Sequence, residues 1–503
     1  MAEELGSRHA VVIGSGMAGL LAAGVLAGHA DRVTLVDRDR VPQEPAPRSG
    51  VPQGRHLHVL LEGGQVALEK LLPGVIEELR ADGHPEVGMP ADMVQWQTGR
   101  WFRRTAATTR LFTGTRPRLE HAVRRRVLAD SRIRTVEGAE VVGLTGDAKR
   151  VRGVLLRERG TAGGGSRRLD ADLVVDASGR GTHAAEWLRS LGAEPPHEET
   201  IDTGLGYATR LYRDGSGGRF SDSLGYFVIP APDQTHGGVI LPVDGDGLHL
   251  VTLSGLRGDA PPTDPEGFES FAGTLPDSVL SEWLDAAEPL GAAHGFRGTA
   301  NVRRRYDRPG RRPAGFLAVG DALCTFNPIY GQGMTVAALG AVALRDALAD
   351  RRRVPTTLRV QQAVSGAAAQ AWDISAGSDR NMPGAVGNVV RGRAVERPVA
   401  WYLSRVQQRA AGDAVVGRAF RSVLSLTAPV GVLFTPELLR AVLFRPVPPT
   451  PVRPPFCPDA QPPAGRSRPV RPRRAGAGCR CGAASGGRRC WPRRPRGRSP
   501  PGP

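Results

Sequence analysis

At 503 residues the chain is too long for one simple core and is expected to fold as two or three packed units. Its apolar share of 40% is ordinary for a soluble protein, and no run approaches the roughly 20 apolar residues of a membrane span; the nearest, 423–434, is short and broken by Pro429. The net charge of +17 suggests a polyanion binder only until it is located: residues 451–503 hold thirteen arginines against one acid, Asp459, which leaves +5 for the other 450 residues and argues against a nucleic-acid partner for the body.

The start, Met1 to His9, carries Glu3 and Glu4 in place of a basic stretch leading into an apolar one, so no signal peptide is expected and the protein reads as cytoplasmic. An apolar, β-branched strand at 9–13 precedes Gly14-Ser15-Gly16-Met17-Ala18-Gly19, a helical run to about Ala27, and a second strand, 32–36, ending at Asp37. This is strand, glycine turn, helix, strand, acid, with the acid 23 residues after the first glycine. A polar stretch at 42–58 leads to a helix near 60–72, β-structure between 93 and 112, and a helix at 118–128 with Leu119, Val123 and Val127 on one face. Strands are expected at 134–142, 151–157 and 169–175, with a hairpin tip at 160–165. Between 198 and 300 the alternation lengthens to strands at 205–212, 225–229, 238–242 and 249–254, interrupted by a helix at 266–275, and reads as a mostly antiparallel inserted sheet. The chain then returns to a strand at 315–319, the turn Gly320-Asp321 and a long helix over 331–349; 355–445 is largely helical.

The tail is a separate problem. Nearly all Pro, Arg, Gly, Ala and Ser, it cannot bury a core. The chain has two lysines, Lys70 and Lys149, against 65 arginines, the mark of a GC-rich gene, and residues after about 456 read as a frame-shifted product, with a polybasic nucleic-acid or membrane tail as the rival reading. Four of the five cysteines (457, 479, 481 and 490) lie there, none in a Cys-x-x-Cys pair, so no redox dithiol is expected.

Three separated elements agree on one cofactor. Gly14 makes a tight turn, Gly16 lets amides approach phosphates, Gly19 lets the helix pack on its strand, and Met17 and Ala18 open that helix. Asp37 can accept bonds from ribose hydroxyls and disfavours a 2′-phosphate; Arg38 follows it. The second element is an apolar strand ending at Asp176 in a small-residue turn. The third is the strand ending at Gly320-Asp321, whose carboxylate suits a ribityl chain. Pro328, Gly331, Gly333 and Met334 then open a helix whose N-terminal amides would face a flavin pyrimidine. These readings point to FAD on a Rossmann-like α/β domain. With a single fingerprint, NAD(P)H is expected as a transient reductant. His56 and His58 alternate without a third ligand, so no metal is expected.

These residues resemble the flavin monooxygenases of the para-hydroxybenzoate hydroxylase fold over residues 8 to about 350, and among them the FAD-dependent epoxidases of polyether polyketide assembly, with 333–337 similar to squalene epoxidase. Gln332 stands where the polyether enzymes commonly carry His. The resemblance implies Arg48, Gln53 and Arg116 near the flavin, and reduction by NAD(P)H followed by oxygen transfer from a C4a-hydroperoxide to an alkene of a polyketide or polyene. The order of elements divides the chain into an FAD-binding domain (8–197 and 301–350), a substrate sheet (198–300), a helical region (351–445) and the tail (446–503). Tyr207, Tyr226, Phe227 and Leu241 are expected to form an apolar cover, and Arg124, Arg125 and Arg126 to be solvated surface charges. The helical region could close the substrate cavity, form a homodimer contact or touch a membrane. Four alternatives stand beside the epoxidase: an aromatic polyketide hydroxylase using His58 or Tyr212, a prenyl-type flavin reductase, a halogenase needing Lys70, and a non-catalytic FAD-binding module.

Overall fold

The computed structural model describes residues 8–160, 165–215, 225–245, 247–310, 312–390 and 397–456. Its first layer is a parallel sheet in the order Phe316–Ala318, Leu173–Asp176, His9–Ile13, Arg32–Asp37, Ile133–Glu137. Val11, Val12, Val33 and Val174 are fully buried, as befits strands covered on both faces. The helix Met17–Ala27 is apolar nearly all round and packs against Gly333–Ala349, which in turn packs on Thr357–Asp379.

Register decides where the strands end. Ile13 pairs with both Val36 and Asp176, and Asp176 with Ala318, so four strands finish along one edge. Gly14, Asp37, Ala177 and Gly320 follow from that edge, where open α/β sheets bind ligands.

Two expected strands each split between two sheets. The run expected at 134–142 breaks at Gly138 (φ +68°): Ile133–Glu137 joins the parallel sheet and Ala139–Gly146 pairs antiparallel with Val151–Glu158. The run expected at 169–175 divides into Arg167–Asp170, on Val151–Glu158, and Leu173–Asp176. Alternation continues through both breaks, so the pattern alone cannot register the change of sheet. Of the expected hairpin tip, 161–164 lie outside the described residues.

The second layer is a seven-stranded sheet in the order Glu288–Phe296, Gly206–Arg213, Leu248–Gly255, Gly237–Pro242, Gly225–Val228, Met93–Gln97, Arg100–Trp101. All its pairs are antiparallel except Gly225–Val228 with Met93–Gln97. Its last two strands come from before residue 198. One face packs on the helices Pro265–Ala272 and Val279–Ala286, the second of which was not anticipated. Tyr226 belongs to that packed face and is fully buried, so it cannot be part of the apolar cover expected of it; Tyr212 lies there too.

The helices Arg397–Ala410, Ala414–Leu424 and Pro436–Phe444 form their own core around Tyr402, Val406, Val416, Leu438 and Val442, seated on Phe102. No helix of the described residues is long and apolar enough to cross a membrane. Residues from 457 on, on which the frame-shift expectation rests, lie outside the described residues.

Candidate functional site

The Gly14–Gly19 loop is shaped by contacts that only glycine permits. Gly14 has φ +94°, and a Cβ there would lie 2.6 Å from the Ala177 carbonyl; one on Gly19 would lie 1.8 Å from the Gly14 carbonyl. The loop is thus clamped to the turn after Asp176. Asp176 itself is consumed in that turn, accepting from Ser178 N at 2.9 Å, Ser178 Oγ at 2.6 Å and Thr182 Oγ1 at 2.5 Å. Gly320 (φ +56°) closes the third side: a Cβ there would lie 2.5 Å from that of Ala18. The three sequence elements therefore meet at one place.

Charge is concentrated around this loop. Asp37 Oδ2 accepts from Ser15 N (2.8 Å), Ser15 Oγ (2.5 Å) and Arg48 Nη1 (2.7 Å), and Oδ1 accepts from Asp39 N (2.8 Å). Burial would raise the Asp37 carboxyl, but Arg48, the Ser15 hydroxyl and the Asp39 amide together hold it below the usual range. Glu120, on the helix Arg116–Val127, accepts from Arg48 Nη2 at 2.9 Å, Arg124 Nη2 at 2.9 Å and Arg116 Nε at 3.4 Å. Arg124 also donates to the Ser15 carbonyl at 3.1 Å. A Cβ on Gly16 would lie 3.8 Å from Arg116 Nη2 and 3.9 Å from Arg48 Nη2. Two carboxylates thus hold three guanidinium groups over a loop of amides, a donor set suited to a pyrophosphate.

Arg124 corrects the expectation that it is a solvated charge; Arg125 and Arg126 do face solvent, paired with Glu78. The spacing Arg116, Glu120, Arg124 places all three on one helix face, a signal available in the sequence. Arg38 follows Asp37 with its side chain exposed, and Gln53 is half-buried in the 3-10 turn Pro52–Arg55.

Asp321 differs from Asp37. Among the described residues no donor is hydrogen-bonded to its carboxylate; burial raises that carboxyl against the pull of Arg116, Arg180 and Arg304. Beyond it, Pro328 is exposed and Gly331 takes φ +63°, with no room for a Cβ because Val59 Cγ2 would lie 2.5 Å away. Gly333 is open on its surface, Met334 is buried, and Gln332 Oε1 at this helix start is buried without a partner. A free carboxylate, an unpartnered amide oxygen and a glycine cradle fit the hydroxyls of a ribityl chain and the polar edge of a flavin.

One supporting network escaped the sequence reading. Asp379, at the end of Thr357–Asp379, accepts from Asn301 Nδ2 (2.7 Å), Asn327 Nδ2 (3.0 Å) and Tyr330 Oη (2.6 Å), which anchors the loop before Gly331. Its partners are up to 78 residues away in the chain, so spacing could not reveal it.

Facing the sheet, His56 Nδ1 lies 3.0 Å from Thr209 Oγ1, which lies 2.8 Å from Thr252 Oγ1, and the imidazole meets Tyr207 edge-on at 4.8 Å. Burial, with His294 nearby, pushes His56 down to about 4; burial and Arg116 push His58 down to about 3. Both are neutral near pH 7. Lys70 is exposed. Among the described residues no cluster of potential metal ligands occurs.

Comparison with known proteins places the chain in a family. The family model described as FAD binding domain matches residues 8–353. Protein Rv3254 of Mycobacterium tuberculosis is 36% identical over 355 residues, 68% of this chain and 73% of its own length. The p-nitrophenol 4-monooxygenase PnpA of Pseudomonas putida DLL-E4 superposes with a TM-score of 0.58 at 16% identity, over 83% of this chain and 98% of its own. The flavin-dependent brominase Bmp2 gives 0.53 at 17% identity, over 86% of this chain and 92% of its own. At such identities the two structures establish a shared fold and no more. With a family model spanning most of the chain and the glycine loop, Asp37 and Gly320-Asp321 assembled at one sheet edge, the chain belongs to the FAD-binding domain family, that of FAD-dependent monooxygenases and related oxidoreductases.

Proposed function

We propose that the protein is an FAD-dependent monooxygenase that adds one oxygen atom of O2 to an alkene of a polyketide or polyene substrate, with NAD(P)H as a transient reductant. The observation that carries the choice of alkene over phenol is the chemistry of the sheet's open face. Phe227, Val239, Leu57, Val59 and Met89 are half-buried apolar groups there, and His56 and His58, pushed down to about 4 and about 3, are too weakly basic to take a phenol's proton. Tyr212, the other candidate for activating a phenol, is turned to the opposite face. The exposure of Lys70 leaves a halogenase without its lysine.

In this reading Gly14, Gly16, Met17, Ala18 and Gly19 supply backbone amides to the pyrophosphate, and Arg48, Arg116 and Arg124 supply charge. Asp37 with Arg38 serves the adenosine ribose, Asp321 and Gln53 the ribityl side, and Pro328, Gly331, Gly333 and Met334 the ring edge. Asp176 acts through the turn it holds against Gly14. Bound flavin supplies the two electrons with which O2 is activated. The chain's part is to hold an apolar substrate over the ring, exclude water and place no acid where the oxygen must go. The domain division set out above, with its separate substrate sheet, belongs to the same proposal, as does a cytoplasmic site of action.

The test is reconstitution with FAD under 18O2 and NADPH. A linear polyene should gain one 18O as an epoxide, and Asp321→Ala should weaken FAD binding at least tenfold, about 1.4 kcal/mol. Oxygen entering only a phenolic ring, or unlabelled product of alkene reduction, would overturn the proposal.

A further inference from the structure

Arg421, on the helix Ala414–Leu424, is more than nine-tenths buried at 6% exposure. Its Nε donates to Thr108 Oγ1 at 2.8 Å; among the described residues no carboxylate pairs with it, and the charged neighbour that acts on it is another cation, Arg418. Three other buried arginines meet carboxylates: Arg48 has Asp37 and Glu120, Arg304 has Glu198, and Arg409 has Asp413 and two carbonyls. Burial beside Arg418 depresses the Arg421 guanidinium to about 10, so it stays charged near pH 7. A buried cation of this kind is costly unless an anion meets it.

The surroundings suit such a visitor. Gly417 stands one turn earlier, and a Cβ there would lie 2.9 Å from the Ala410 carbonyl, 3.1 Å from Arg421 Nη1 and 3.3 Å from Nη2, so the missing side chain lets the guanidinium lie close against the backbone. The buried hydroxyls of Thr109, which follows Thr108, and of Ser425, one turn after Arg421, lie 3.0 Å apart. Thr108, which Arg421 holds, donates its amide to the Met89 carbonyl at 2.8 Å. Met89 belongs to the half-buried apolar group with Leu57, Val59, Phe227 and Val239, and Val59 abuts Gly331 at the proposed ring edge. Arg421 is therefore joined through Thr108 to Met89, one member of the apolar group that reaches Gly331 at the proposed ring edge.

We infer that Arg421 is an anchoring site for the carboxylate of an apolar, chain-like substrate whose hydrocarbon body lies along the Met89, Leu57 and Val59 group. This deepens the monooxygenase reading and rests on it for the identity of the ring edge.

The experiment uses the full chain loaded with FAD, with linoleic acid and its methyl ester as probes, followed by thermal shift and by perturbation of the flavin spectrum. The acid should bind at least tenfold more tightly than the ester and raise the melting temperature. Arg421→Met should bind both equally, with FAD affinity unchanged, and should melt no lower than the wild type without ligand, since it removes an uncompensated buried charge. Arg421→Lys should keep part of the preference. Equal binding of acid and ester by the wild type, an acid preference that persists in Arg421→Met, or binding of neither probe would each overturn the anchoring site. Oxygenation of both probes with equal affinity would remove the anchor and leave the monooxygenase reading standing; loss of FAD binding by the wild type itself would remove that reading instead.

Discussion

On the seven-stranded sheet, Tyr212, Tyr226 and Ile240 point to one side, while Tyr207, Phe227 and Val239 point to the other. The first set is sealed under two helices: Tyr212 stacks on Phe268 at 6.4 Å and meets Trp283 edge-on at 5.9 Å. In the second set Phe227 and Val239 stay half-covered, and Tyr207 is buried beside the hydrogen-bonded series His56, Thr209 and Thr252. Both faces have the same alternation and comparable aromatic content. They differ in what lies across from them: helices that complete the packing on one side, and on the other the edge of the cofactor layer with neutral polar groups. A face whose packing is complete has nothing left with which to hold a ligand.

The largest effect belongs to the sealed face. Phe268→Ala removes a fully buried ring and should cost about 3–5 kcal/mol in urea unfolding. FAD affinity, measured on the remaining folded protein, should change less than twofold. A large loss of FAD affinity with little loss of stability would mean that the sealed face communicates with the site, and the comparison would have to be redrawn.

The open face should reveal itself through pH. His56 has a folded pKa of about 4 against 6.5 in the unfolded chain, so the fold favours its neutral form. That stability is fully present above pH 6.5 and is lost as pH falls toward 4, roughly 2–3 kcal/mol by pH 4.5. His58, depressed in the same direction, adds to it. Urea titrations at pH 7 and pH 4.5 should show His56→Gln losing less on acidification than the wild type; an equal loss in both would place the acid sensitivity elsewhere.

Much of the cofactor layer was legible because local chemistry and long-range packing agree there. Gly14 and Gly19 are needed by close backbone approaches, Asp37 ends a strand, and Gly320-Asp321 ends another, so each motif carries its own physical reason. The open face was not legible, since period-two alternation places Tyr207 and Tyr226 on opposite sides without saying which side is the core. Arg124 shows an intermediate case: its spacing from Glu120 was visible, but its reach to the Ser15 carbonyl depends on how the helix is laid against the loop. The Asp379 network and the isolation of Arg421 depend wholly on tertiary contact. Nothing about an arginine in an amphipathic helix announces that no acid will meet it.

The finest division within the open face lies between Thr209 and Thr252. Thr209 bonds both His56 and Thr252, whereas Thr252 bonds Thr209. Valine at 209 keeps the β-branched shape and removes the hydroxyl, leaving the His56 ring nitrogen buried without that partner, which should cost about 1–2 kcal/mol. Valine at 252 leaves Thr209 free to serve His56 and should cost about half as much. Because the deficit in Thr209→Val falls on an imidazole, it should also shift the acid sensitivity of unfolding, while Thr252→Val and Phe268→Ala should not. Equal pH profiles for the two threonine variants would mean that His56 does not depend on Thr209, and would reduce the open face to ordinary packing.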